Sequence, residues 1–191
     1  YVFTENGLPA GLFCINSGKI KLTTTGYDGK EQILRLVKSG DIVGYRALLS
    51  NERYHCSAVT LEDASICIID KKYFFEAIES SPKLMFEVVR KMSQDLKVAE
   101  DHIVSLSQKN VRERMAEALL FLKATYGFEE DNQTINVSLS REEIADYVGT
   151  STESCIRLLS EFNNDKLISL KGKKISIVNL QKLIQTANIE D

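Results

Sequence analysis

Met85, Val89, Met92, Leu96, Ala99, Ile103, Leu106 and Asn110 recur at alternating spacings of four and three residues. A helix lying on a sheet drifts toward 3.6 residues per turn and shows a broader apolar stripe. A strict 3.5-residue repeat is instead the seam of a coiled coil. No other segment of the chain carries a matching heptad length, so a second copy of the chain is the expected partner. Pro82 suits the first turn of this helix, with Ser80 or Ser81 as its cap. Asn110, the polar member, is expected to fix register and strand number at some cost in stability. The competing reading packs the seam on the chain's own β domain.

Upstream of this helix the texture is different. Leu12-Phe13-Cys14-Ile15, Lys19-Ile20-Lys21-Leu22-Thr23, Glu31-Gln32-Ile33-Leu34-Arg35-Leu36, Ala58-Val59-Thr60 and Ser65-Ile66-Cys67-Ile68-Ile69 are short runs separated by turn signals. Asp28-Gly29 predicts a type I′ hairpin, and the whole series predicts an antiparallel β sandwich or roll. Cys14 and Cys67 fall within apolar runs and are expected in the core.

Four cysteines without a C-x-x-C pair argue against a zinc or iron–sulfur site within this chain, so no metal and no cofactor are expected. Free thiols and the lack of a signal-peptide layout suit a reducing cytoplasm, and no run of eighteen apolar residues suggests a membrane span. The chain starts at Tyr1 without Met, so the numbering is expected to begin inside a longer protein. A net charge of -3 argues against bulk electrostatic attraction to nucleic acid. Any DNA contact must therefore be local and geometric.

Such a contact is legible further on. After an amphipathic helix from Val111 to Tyr126 and a polar loop from Gly127 to Asn132, Ser140-Arg141-Glu142-Glu143 forms a capping box. The helix it opens runs to Val148 and is stopped by Gly149. Thr150-Ser151-Thr152-Glu153 then caps a second helix that ends at Asn163-Asn164-Asp165. Two short helices across a four-residue turn, with small Ala145 at their crossing, predict a helix-turn-helix. Leu167 to Leu170 and Ile175 to Val178 flank Lys171-Gly172-Lys173-Lys174, a β-hairpin with a basic tip, which reads as a wing.

The second helix is expected to enter the major groove. Its outward face carries Thr152, Glu153, Ser154, Ile156 and Arg157. Arg157 suits guanine O6 and N7, and Glu153 can accept from cytosine N4 and orient Arg157. Alternatively these two form an ordinary intrahelical pair. Ser151, Lys173 and Lys174 suit phosphates, which position rather than specify. From Ser140 to Lys174, six acidic residues balance six basic ones. Tight binding should thus require two copies on a palindromic double-stranded site.

An α+β chain ordered as β-roll, long dimerisation helix and winged helix-turn-helix resembles the CRP/FNR family of bacterial transcription regulators. The expected boundaries are 1–80 for the roll, 81–110 for the dimerisation helix and 111–191 for the DNA-binding domain. Gly11-Leu12-Phe13-Cys14-Ile15-Asn16-Ser17-Gly18-Lys19, Asp28-Gly29-Lys30-Glu31 and Ser39-Gly40-Asp41-Ile42-Val43-Gly44 match the family's roll. Val111-Arg112-Glu113-Arg114 matches its hinge region, and Glu153-x-x-x-Arg157 its DNA reader. The resemblance implies a cyclic-nucleotide-binding-like jelly roll whose effector reorients the DNA-binding domains, half-sites containing TGA, a homodimer, and RNA polymerase as partner.

The effector pocket departs from the cyclic-AMP-binding branch. Where that pattern has Glu and then Leu after Gly44, this chain has Tyr45 and Arg46. His55 and Cys56 stand in place of Arg and Ser, and Ala99-Glu100 replaces the Thr-Ser pair on the dimer helix. Cyclic AMP is therefore disfavoured, whereas another small anion, haem on His55, or no ligand at all stay open. The alternative function is a ligand- or redox-sensing module whose winged helix serves protein contacts. An enzyme is not expected, because His55 and His102 have no evident nucleophile beside them.

Overall fold

The computed structural model describes residues 1–189; positions 190 and 191, the end of the expected DNA-binding domain, lie outside the described residues. The chain divides into two compact units, Tyr1–Ile103 and Val104–Asp191.

In the first unit six strands form two antiparallel three-stranded sheets. They are β1 (Gly11–Ser17), β2 (Ile20–Thr25), β3 (Glu31–Val37), β4 (Ile42–Val43), β5 (Ser57–Thr60) and β6 (Ser65–Asp70). One sheet is ordered β4-β1-β6 and the other β3-β2-β5. Ile15, Ile20, Val37, Val43 and Ala58 pack as one buried cluster. Each of the Ile and Val side chains contributes roughly 1.5–3 kcal/mol on leaving water.

The β2–β3 hairpin corrects the expected turn. Gly29 has φ 80°, but Asp28 is not in the positive-φ region that a type I′ turn demands of both central residues. Gly29 N–H donates to Gly26 O at 3.0 Å and Gly26 N–H to Lys30 O at 2.8 Å. This is the longer connection, a turn followed by a left-handed glycine. The expected core placement of the two strand cysteines holds in part for Cys14, which is half-buried and packs against the cluster of Leu12, Leu48 and Phe74, and fails for Cys67, which is exposed on edge strand β6.

Helix α1 (Tyr45–Ser50), absent from the sequence reading, follows Gly44 and buries Tyr45, Ala47 and Leu48. Helix α2 (Lys71–Ser80) is capped by the Asp70 carboxylate and buries Phe74 and Ile78. Helix α3 (Pro82–Gln108) has 27 residues, and Ser81 Oγ accepts from Leu84 N–H at its start. It ends before Asn110, which is not a seam residue. Asn110 caps helix α4 (Val111–Tyr126) in a capping box with Glu113, because its short amide competes better for free helix-end donors than for a seam position.

In the second unit α4 buries Met115, Ala116, Ala118, Leu119 and Leu122. Helices α5 (Arg141–Val148) and α6 (Thr152–Asn164) follow, then strands β7 (Ile168–Lys171) and β8 (Lys174–Ile177) and helix α7 (Leu180–Ala187). The segment after α4 also joins the β7–β8 hairpin: Ile135 N–H donates to Ile175 O at 2.9 Å and Ile177 N–H to Gln133 O at 2.9 Å. The pairing joins residues far apart in the chain and has no local signal, whereas α7 does have one: Leu180, Leu183, Ile184 and Ala187 stand at helical spacing, and Leu183 and Ala187 are buried.

Candidate nucleic-acid interface and roll cavity

Two capped helices define the first site. Ser140 Oγ accepts from Glu143 N–H at 3.1 Å, and the Glu143 carboxylate accepts from Ser140 N–H at 2.8 Å. Gly149 closes α5 with φ 71°, and a Cβ there would stand 2.9 Å from Leu106 Cδ2. Only glycine meets both demands without strain. Ser151 Oγ then accepts from Ser154 N–H at 3.2 Å and starts α6. The turn comprises Gly149, Thr150 and Ser151, three residues rather than four, since Thr152 is already helical.

Helix α6 buries Cys155, Leu158, Leu159 and Phe162. Phe162 is among the largest fully buried side chains, although sequence reading passed over it. With its back fixed, α6 leaves Ser151, Glu153, Ile156 and Arg157 exposed and Thr152 and Ser154 half-exposed. The Arg157 side chain is 64% accessible, and its Nη1 donates to Glu161 Oε1 at 2.7 Å. Glu161 also accepts from Arg112 Nη1 at 3.0 Å, while Arg112 Nη2 reaches Asp165 at 2.7 Å. The guanidinium is thus oriented from the turn C-terminal to it. An exposed i,i+4 pair is worth only about 0.3–0.5 kcal/mol, so it aims Arg157 without committing it.

The hairpin tip lies beside these helices: Arg141 Nη2 donates to Gly172 O at 2.9 Å. Lys173 is exposed there. Lys174 Nζ is engaged with Glu129 at 2.7 Å, a partner that sequence spacing gives no hint of.

The second site is a cavity of about 590 Å³ in the first unit. Gly44, Tyr45, Arg46, His55, Cys56 and Ala99 all line it, whereas Glu100 lies on α3 outside that lining. Phe3, Leu22, Leu34, Val89, Met92 and Leu96 give it a largely apolar wall. Its cations are engaged. Arg35 Nη1 donates to Asp95 Oδ2 at 2.5 Å, and the Tyr45 hydroxyl donates to the same carboxylate. Burial, then the bond to Asp95, pushes the Tyr45 phenol up to about 12. Lys91 adds contacts to Asp41 at 3.1 Å and to Asp95 at 3.2 Å. Arg35 and Asp95 are sixty residues apart, so no motif could have paired them in sequence.

Arg46 Nε donates to His55 Nδ1 at 3.1 Å. Partial desolvation at the cavity wall, followed by the Arg46 charge, holds the His55 pKa below its ordinary value of 6.5. The unfolded chain therefore takes up a proton near pH 6.5, whereas the folded chain does so only at lower pH. Between those values the unfolded state binds more protons, so stability falls as pH drops below about 6.5. Urea unfolding at pH 7.5 and 5.5 should show this loss, and His55→Gln should make it smaller. An unchanged pH dependence in the variant would refute the assignment. Cys56 is buried, and burial pushes its thiol up to about 11, so it serves as wall and not as nucleophile.

Comparison with known proteins bears on both sites. The family model of the cyclic nucleotide-binding domain matches residues 1–81, and that of the Crp-like helix-turn-helix domain matches residues 113–186. The chain is 32% identical over 181 residues to the fumarate and nitrate reduction regulatory protein of Vibrio cholerae, covering 93% of this chain and 71% of that protein. It is 34% identical over 179 residues to the protein of the same name from Yersinia pestis, covering 92% and 70%. The solved structure of FixK2 from Bradyrhizobium japonicum shares its fold, with a TM-score of 0.87 at 22% identity, over 100% of this chain and 93% of that one.

Proposed function

Because this chain belongs to the CRP/FNR family of transcription regulators, we propose that it regulates transcription by binding a palindromic DNA site as a homodimer, with α6 in the major groove. The observation that carries this reading is the two-sided character of α6. Its inner face is locked by Cys155, Leu158, Leu159 and Phe162, and its outer face presents Glu153 and Arg157 to solvent. Arg157 would read guanine, Glu153 cytosine, and Ser151, Thr152, Ser154, Lys173 and Lys174 would set the register on the backbone. Lys174 would have to exchange Glu129 for a phosphate. The units of function are 1–80 as effector-type roll, 81–110 as dimerisation helix and 111–191 as DNA-binding domain. RNA polymerase in the cytoplasm is the partner, and no catalytic step is involved. No helix among the described residues is long and apolar enough to cross a membrane.

The roll cavity would hold the effector. Its walls are apolar, Arg35 is neutralised by Asp95, and Arg46 faces His55 and Glu52. A cyclic phosphate entering it would lose water without gaining an uncommitted cation, a poor exchange. Cyclic AMP is accordingly disfavoured, and a mainly apolar molecule of modest size is favoured.

Selection from a pool of random duplexes tests the central claim. Bound DNA should be enriched in a two-fold symmetric sequence whose half-sites lie about one helical turn apart. Retention of the dimer with no enrichment of any sequence would overturn it and favour a winged helix used for protein contacts.

A further inference from the structure

Arg112 is the second residue of α4, and its guanidinium is held by three groups on α6 and its C-cap. Nη1 donates to Glu161 Oε2 at 3.0 Å and Nη2 to Asp165 Oδ2 at 2.7 Å. Its Cζ lies 4.8 Å from the centre of the Phe162 ring, which is fully buried. A planar guanidinium suits this setting, since it forks between two acceptors and stacks on an aromatic face at once. Arg157 is the looser of the two arginines: its side chain is 64% accessible, against 38% for Arg112.

Both cations meet on one carboxylate. Glu161 Oε1 accepts from Arg157 Nη1 at 2.7 Å, and Oε2 accepts from Arg112. Each oxygen serves a different guanidinium, so the two-oxygen fork that makes arginine–carboxylate pairs strong is withheld from Arg157. Guanine recognition asks Arg157 for the same pair of parallel N–H groups. With Arg112 in place, Glu161 steadies Arg157 through one nitrogen and does not outcompete a base. Without Arg112, Glu161 is an unshared anion one helical turn from the reader, and it competes with guanine O6 and N7 for both nitrogens.

We propose that Arg112 is a specificity-determining positioning residue for DNA reading, acting on Arg157 through the shared carboxylate of Glu161. This role rests on α6 entering the major groove as proposed above. Arg112 touches no base; it sets how much of Arg157 is available to one. Charge acts in the same direction. Along α6 and its C-cap, Glu153, Glu161 and Asp165 accompany Arg157 as the one basic residue, and Arg112 offsets two of these carboxylates from α4.

A double-mutant cycle in the full chain tests the role. Fluorescence anisotropy at one salt concentration reads the affinity for the duplex selected from the random pool and for a scrambled one. Arg112→Gln should lower the ratio of the two affinities about two- to fivefold at each half-site, the worth of an exposed ion pair. In the Glu161→Gln background, where no anion competes for Arg157, adding Arg112→Gln should leave the ratio unchanged. Asp165→Asn, which keeps the Glu161 link, should retain the wild-type ratio. A merely structural loss at Arg112 would lower the ratio in both backgrounds. An equal fall in both, or no fall in either, overturns the role of Arg112 and leaves α6 as the reader. A wild type that binds both duplexes alike overturns α6 as the reader, and the role of Arg112 with it.

Discussion

Arg157→Ala should abolish discrimination between the selected duplex and a scrambled one while leaving the dimer and its thermal unfolding essentially unchanged. A bidentate guanine contact supplies about 1–3 kcal/mol of discrimination, or roughly 5- to 150-fold at each half-site, and a symmetric site forfeits it twice. The variant should retain weak binding, because phosphate contacts carry no sequence information. Its fold should survive because the side chain is 64% accessible and its ion pair with Glu161 is exposed. Fluorescence anisotropy against both duplexes reads the ratio of affinities. Lys173→Ala is the informative control: it should weaken both duplexes alike and reduce the salt slope by about one, with the ratio kept. Selectivity that persists in Arg157→Ala would remove this residue from the reading surface.

The DNA-binding unit was legible in sequence wherever local chemistry fixes the backbone. Ser140 with Glu143, Ser151 and Gly149 are each tied to a helix end, where unpaired N–H groups and a left-handed φ leave few residue types suitable. Features made by distant residues were not legible. The Arg112–Glu161–Arg157 chain, the Lys174–Glu129 pair and the Arg35–Asp95–Tyr45 group join elements far apart in the chain, and no periodicity announces them. The Asp28-Gly29 turn failed for a different reason. A glycine signals positive φ at its own position but does not count the residues in the loop, so one dipeptide fits two hairpin lengths. Cys67 failed because an apolar run in an edge strand looks like one in a central strand until pairing is known.

Leu96→Glu with Ile103→Glu should turn the proposed dimer into a monomer of 21.5 kDa and reduce affinity for a palindromic duplex far more than affinity for a single half-site. The two sides of α3 explain why. One side is committed within the first unit, with Val88 buried and Lys91 and Asp95 held by Asp41 and Arg35. The other carries Met85, Val89, Met92, Leu96 and Ile103, which are 38%, 49%, 39%, 60% and 64% accessible even though Val89, Met92 and Leu96 also border the roll cavity. With Ala99 between Leu96 and Ile103 the spacing alternates between four and three, and the residues form a continuous apolar stripe that a second α3 could bury as knobs in holes. Burying one Leu or Ile is worth roughly 1.5–3 kcal/mol, so losing two from each chain removes about 6–12 kcal/mol from association before charge repulsion is counted. The single chain should tolerate both changes, since glutamate is a good helix former and neither side chain is buried. Light scattering after size exclusion reads the mass, and circular dichroism should show the helix content retained. A variant that stays dimeric would place the self-association surface elsewhere on the molecule and leave the stripe on α3 without this role.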